Sequence, residues 1–126
     1  MANKAAVLGT GQTKYVAKRH DVSMNGLVRE AIDKALADSG STMADIDAVV
    51  VGKAPDFFEG VMMPELFMAD ATGATNKPLI RVHTAGSVGG STAIVAASLV
   101  QSGKYKRVLT MAWGSVVKQI AAGLSI

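Results

Sequence analysis

Leu79-Ile80-Arg81-Val82-His83-Thr84-Ala85-Gly86-Ser87-Val88-Gly89-Gly90-Ser91-Thr92-Ala93-Ile94-Val95-Ala96-Ala97-Ser98-Leu99-Val100 is the most informative stretch of this 126-residue chain. It opens with a short, continuously apolar run at Leu79–Val82, the pattern of a strand buried on both faces. A loop holding Gly86, Gly89 and Gly90 follows, and then an apolar segment from about Gly90 to Ser102 with almost no polar face. Such a helix is expected to lie buried in the middle of a molecule. A strand that leads through glycines into a buried helix aims the helix's first N–H groups and positive dipole end at the loop.

Three further apolar runs work outward from this segment: Ala5–Leu8, Ala48–Val51 and Arg107–Met111. Each is bounded by Gly, Pro, Asp or Lys, as strands are. Between the first two, Met24, Leu27, Val28, Ala31, Ile32, Ala35 and Leu36 fall at i, i+3, i+4 spacing and predict an amphipathic helix. Ser23 or Asp21 can cap its start, and Gly40 suits the position after its end. Pro64 suits the first turn of a second helix over about Pro64–Ala71. Thr42-Met43-Ala44-Asp45 resembles a one-turn capped helix. The order is βαβαβαβ, an α/β fold with a mostly parallel sheet joined by right-handed crossovers.

The formal charge is +3, 49% of residues are hydrophobic and there is no cysteine. This composition forms a core, and it excludes a disulfide scaffold, a Cys-ligated metal and a Cys nucleophile. With two histidines, no metal site is expected. The basic residues Lys14, Lys18, Arg19 and Lys104, Lys106, Arg107 are interleaved with acids and few aromatics. They read as solvated loops, so no nucleic-acid partner is expected. No window reaches the ~18 apolar residues of a membrane span, and Ala5–Leu8 is shorter than a signal-peptide core. The expectation is a cytoplasmic protein.

Three segments invite chemistry. Gly9-Thr10-Gly11-Gln12 lacks the third glycine of a dinucleotide fingerprint, since position 14 is Lys14, and reads as a tight turn. Ala54 to Met63 gathers Phe57, Phe58, Asp56 and Glu59, and fits a substrate wall or a subunit contact. In the loop from His83 to Ser91, Ser87 is the hydroxyl best placed to act as a nucleophile and His83 is the nearby base. Gly86, Gly89 and Gly90 leave room for substrate backbone or ligand. The alternatives stay open: Ser87 as a helix cap, and His83 as a hydrogen-bonded core histidine.

Ala6–Lys14, Ala31–Gly40, Asp45–Gly52 and Arg81–Ala93, in that order and spacing, resemble the N-terminal half of a thiolase-superfamily enzyme. The nearest group is the sterol-carrier or actinobacterial lipid-transfer-protein type. The resemblance covers about Ala5 to Trp113, and the tail 114–126 departs from it. It implies a thiolase-like domain over 1–113 and a fold built from two similar halves, usually dimeric; the helix without a polar face, which four strands and three helices cannot readily cover, separately predicts a homo-oligomer with Leu79–His83 near the interface. The resemblance also implies acetyl-CoA acetyltransferase or 3-ketoacyl-CoA thiolase chemistry in lipid or steroid side-chain degradation, with a coenzyme A thioester as substrate and no bound cofactor. The family's nucleophilic Cys would fall at Ser87, or at Gly89 or Gly90 in a gapped alignment, and the second half of the family chain is absent. Some Cys-less members are retro-aldol lyases on steroid acyl-CoA that work with a small zinc-ribbon/OB-fold partner. A non-catalytic thiolase-fold interaction module is the third expectation.

Overall fold

The valine run at Ala48–Val51 becomes an interior strand of a five-stranded sheet. A computed structural model describes residues 3–16, 19–53, 62–113 and the backbone of 123–125. Its elements are β1 (Gly9–Gly11), α1 (Met24–Ser39), β2 (Ala48–Lys53), α2 (Pro64–Phe67), α3 (Ala69–Thr72), β3 (Leu79–Val82), α4 (Val88–Gln101), β4 (Val108–Trp113) and β5 (Gly123–Ser125). The spatial order is β1-β5-β4-β2-β3. β2 is parallel to β3 and to β4, with Val51 opposite Arg81 and Lys53 opposite Trp113. β5 runs antiparallel to β4 and β1. Four of the five strands therefore run in one direction, with β5 reversed, and the fold is α/β with a mostly parallel sheet as expected.

β2 and β4 are buried along their whole length, as continuous apolar runs require when both faces are covered. Alternate residues serve opposite faces. Val49, Val51, Leu109, Met111 and Trp113 meet Val28, Ala31, Ile32 and Leu36 of α1, with Met68 and Ala74. Ala48, Val50 and Val108 face the other way, against Ala96 of α4. α1 begins where Ser23 Oγ accepts the Gly26 N–H at 3.1 Å. It ends at Gly40 (φ 65°), after which the Ser41 N–H donates to the Leu36 carbonyl at 3.0 Å. Its polar side carries the pairs Arg29–Asp33 at 2.9 Å and Lys34–Glu30 at 3.3 Å.

Two expectations need correction. The first strand is Gly9–Gly11, not Ala5–Leu8, and the glycines do not form a tight turn. They let β1 lie against the α1 backbone: a Cβ on Gly9 would stand 2.5 Å from the Ser39 nitrogen, and one on Gly11 would collide with the Ala31 carbonyl. The helix expected over Pro64–Ala71 is instead two single turns. They meet at Met68, whose φ of −103° and ψ of 11° lie outside the helical well. Within the tail, residues 123–125 supply β5; 114–122 and 126 lie outside the described residues. The loop with Asp56, Phe57, Phe58 and Glu59 lies outside them as well, as does Lys18.

Candidate functional site

β3 delivers the chain to the carboxyl edge of the parallel strands, where α/β folds hold their ligands. His83 follows directly and is exposed. The core-histidine alternative is thereby corrected: the strand ends one residue earlier, so the imidazole projects past the sheet. Ala85 then adopts a left-handed conformation (φ 50°), a costly one for a residue with a Cβ. A 3-10 turn at Ala85–Ser87 leads straight into α4.

Ser87 occupies the N-cap of α4 but makes no side-chain cap bond. Its hydroxyl donates to the Thr84 carbonyl oxygen at 2.7 Å, and its N–H reaches the same oxygen at 3.2 Å. Thr84 Oγ1 in turn donates to Ser91 Oγ at 2.8 Å. The hydroxyl proton of Ser87 is thus held by backbone and is not handed to His83. Nucleophilic use of Ser87 requires that proton to be redirected. The loop brings Ser87, Thr84 and Ser91 together at the start of a 14-residue helix; His83 precedes Thr84 in the chain, one residue past the strand.

Among the described residues, a Cβ on Gly86, Gly89 or Gly90 would meet nothing within 4 Å. The first turn of α4 has no side-chain cap from Ser87, and its Val88 N–H donates to the Ala85 carbonyl; the dipole end there favours an anion or a developing oxyanion. Among the described residues, no three His, Asp or Glu side chains gather in a way that would hold a metal ion.

The same sheet edge holds a polar cluster that a reading of strands and helices does not reveal. Lys53 ends β2 and is 1% exposed. Arg81 Nη2 donates to the Lys53 carbonyl at 3.2 Å, while Arg81 Nη1 pairs with Glu65 of α2 at 3.1 Å. Both members of that pair are largely buried, and the bond fastens α2 to the strand that carries His83. Trp113 ends β4 beside Lys53, and its buried indole N–H has no acceptor among the described residues. The available signal was a charge closing each apolar strand: Lys53 after Val49–Val51 and Arg81 within Leu79–Val82.

The basic residues lie elsewhere. Lys4, Lys104 and Lys106 line an open groove with Asp47 and Tyr105. It sits at the opposite edge of the sheet, by the C-terminal end of α4, where cations complement the helix dipole. Asp47 accepts the Lys106 and Arg107 N–H groups at 2.8 and 3.0 Å.

Comparison with known proteins gives two results. The family model of tRNA N6-adenosine threonylcarbamoyltransferase (TsaD) matches residues 14–124. The chain belongs to that family. A curated member from Ruegeria sp. (strain TM1040) is 37% identical over 74 residues, which are 58% of this chain and 19% of the relative. This is not the thiolase family that the residues resemble; the thiolase resemblance holds at the level of the fold. The priming β-ketosynthase from the R1128 polyketide biosynthetic pathway superimposes with a TM-score of 0.79 at 18% identity, over 98% of this chain and 50% of that one. The 3-oxoacyl-[acyl-carrier-protein] synthase III from Aquifex aeolicus VF5 gives 0.72 at 14%, over 94% and 52%. At such identities the likeness is one of fold. The chain spans about half the length of these structures and a fifth of the curated relative.

Proposed function

We propose that the chain carries the helix-end part of a site that transfers an acyl group. The observation that supports this is the open first turn of α4, with Ser87 at its N-cap and His83 at the adjoining strand end. In the proposed step, Ser87 Oγ attacks the carbonyl carbon of a thioester and the C–S bond breaks. The hydroxyl proton passes through His83 to the departing thiolate. The N–H groups at the start of α4 stabilise the oxyanion, and Gly86, Gly89 and Gly90 give the acyl group room. Solved structures of similar fold include a β-ketosynthase and a 3-oxoacyl-[acyl-carrier-protein] synthase. That supports acyl transfer as a class.

The finer readings rest on the thiolase resemblance: a coenzyme A thioester as substrate, a lipid or steroid acyl chain, and a small zinc-ribbon partner. A homo-oligomer has structural support of its own, because α4 turns Ile94 to solvent at 69% exposure. No helix of the described residues is long and apolar enough to cross a membrane, which is compatible with the cytoplasmic location proposed here.

The test is intact mass after incubation with a reactive acyl-CoA, on wild type and Ser87→Ala. An acyl adduct that disappears in the variant is the expected result. Retro-aldol cleavage of a steroid acyl-CoA without any adduct would replace acyl transfer by lyase chemistry. The family match favours a second reading, transfer of a threonylcarbamoyl group to tRNA adenosine. Modified adenosine in tRNA, formed with no acyl-CoA adduct, would establish that one instead.

A further inference from the structure

The chain has no cysteine, so its oxidisable sulfur is all in methionine. The described methionines fall into two groups. Met68 and Met111 are buried in the core between α1 and the sheet, with Met24 and Met43 packed against it. Met62 and Met63 stand at the start of α2, 83% and 57% exposed. Met63 is the N-cap of α2 in a left-handed conformation, φ 50°. Leu66 and Phe67, three and four residues further on, are its neighbours on the helix surface and are exposed too. All four side chains are exposed apolar surface at the start of α2, outside the core clusters.

We propose that Met62 and Met63 are the most peroxide-reactive of the described methionines, and that their oxidation turns this patch polar while the fold stays intact. A hydroperoxide transfers one oxygen to each thioether sulfur. The sulfur is oxidised by two electrons to the sulfoxide, and the peroxide is reduced to water or an alcohol. The sulfoxide is polar and reversible by methionine sulfoxide reductases. Reaction follows access: the core methionines are shielded, and no thiol competes for the oxidant. The change falls beside Glu65, whose bond to Arg81 holds α2 to the carboxyl edge of the sheet. A surface modification thus alters apolarity next to the candidate site without opening the core.

Hydrogen peroxide titration with peptide mapping by mass spectrometry reads this directly on the wild-type chain. Sulfoxide on Met62 and Met63 should come first, at least tenfold ahead of Met68 and Met111. Binding of a fluorescent apolar dye should fall with it, while the far- and near-ultraviolet circular dichroism stays unchanged. Met62→Leu with Met63→Leu should abolish the early oxygens and keep dye binding through peroxide treatment. Equal rates across all four methionines would overturn the proposal, as would loss of near-ultraviolet signal together with the first oxygens. Protection of Met62 and Met63 in the wild type would also overturn it, since the patch is then covered in solution.

Discussion

The two long helices of this molecule lie on opposite faces of one sheet and are finished to different degrees. α1 buries Val28, Ala31, Ile32, Ala35 and Leu36 and turns ion pairs to water. α4 buries only Thr92 and Ala96, and its outward positions include the exposed Ile94. The glycines divide in the same way. Gly9 and Gly11 sit where the backbone of α1 presses on β1, and any Cβ would collide. Gly89 and Gly90 sit on α4 where a Cβ would meet nothing. The α1 face is therefore complete within this chain. The α4 face keeps an apolar side chain and two helix-weakening glycines for which its own packing gives no reason. It is also the face whose helix starts at the candidate site.

The sharpest way to break this comparison is a pair of matched truncations. Ile32→Ala removes a side chain that is 0% exposed and should cost about 2–5 kcal/mol of unfolding free energy. Ile94→Ala removes one that is 69% exposed and should stay within about 0.5 kcal/mol. Urea denaturation measures both. A loss at Ile94 as large as at Ile32 would show that α4 is already covered in solution by another copy. Sedimentation at micromolar concentration would then find an oligomer.

The glycines give the next largest contrast, and its two halves have opposite sign. Gly11→Ala pushes a methyl group into the Ala31 carbonyl and should destabilise by about 1–3 kcal/mol. Gly90→Ala gains helix propensity with no clash and should stabilise by about 0.5–1 kcal/mol. Thermal midpoints would report both. Under the acyl-transfer reading the stabilised Gly90→Ala chain should also form less acyl adduct, because the methyl group narrows the space over the first turn of α4. Unchanged adduct formation would place the acyl group elsewhere.

How much of this was legible in the chain depends on how local each cause is. α1 could be read because its apolar stripe, its Ser23 cap and its Gly40 terminator lie within a few residues of one another. β3 is legible because Leu79, Ile80 and Val82 are apolar and the run is sharply bounded. β1 was misplaced because Ala5–Leu8 looks like a strand, whereas the true strand is chosen by how closely Gly9 and Gly11 can approach a helix over twenty residues away. β5 carries no signal beyond its place between two strands. The loop holding His83 and Ser87 could be picked out. The direction of the Ser87 proton could not, since it depends on the left-handed turn at Ala85. The Arg81–Glu65 bond joins residues 16 apart, and neither end announces the other.

The smallest expected effect concerns the polar border of the finished face, and it is a dependence on pH. Arg19 donates to Asp21 at 2.8 Å and to Glu30 of α1 at 3.0 Å. These hydrogen bonds hold both carboxyl groups below their ordinary values of 3.8 and 4.5. A carboxyl depressed in the folded state binds protons more weakly there than in the unfolded chain. Its contribution to stability is fully present above the ordinary value and drains away as the pH falls through the depressed one. The urea midpoint should therefore be flat from neutrality to about pH 5 and decline below it. Arg19→Gln should reduce the slope of that decline without removing it. Asp45, lowered by the Thr42 N–H that it accepts at 2.8 Å, titrates in the same window with no help from Arg19. An unchanged slope in Arg19→Gln would mean that the Arg19 bonds contribute nothing to stability in solution. A slope changed by more than the Ile94→Ala difference would mean that the border of α1, and not its buried stripe alone, decides how firmly that face is closed.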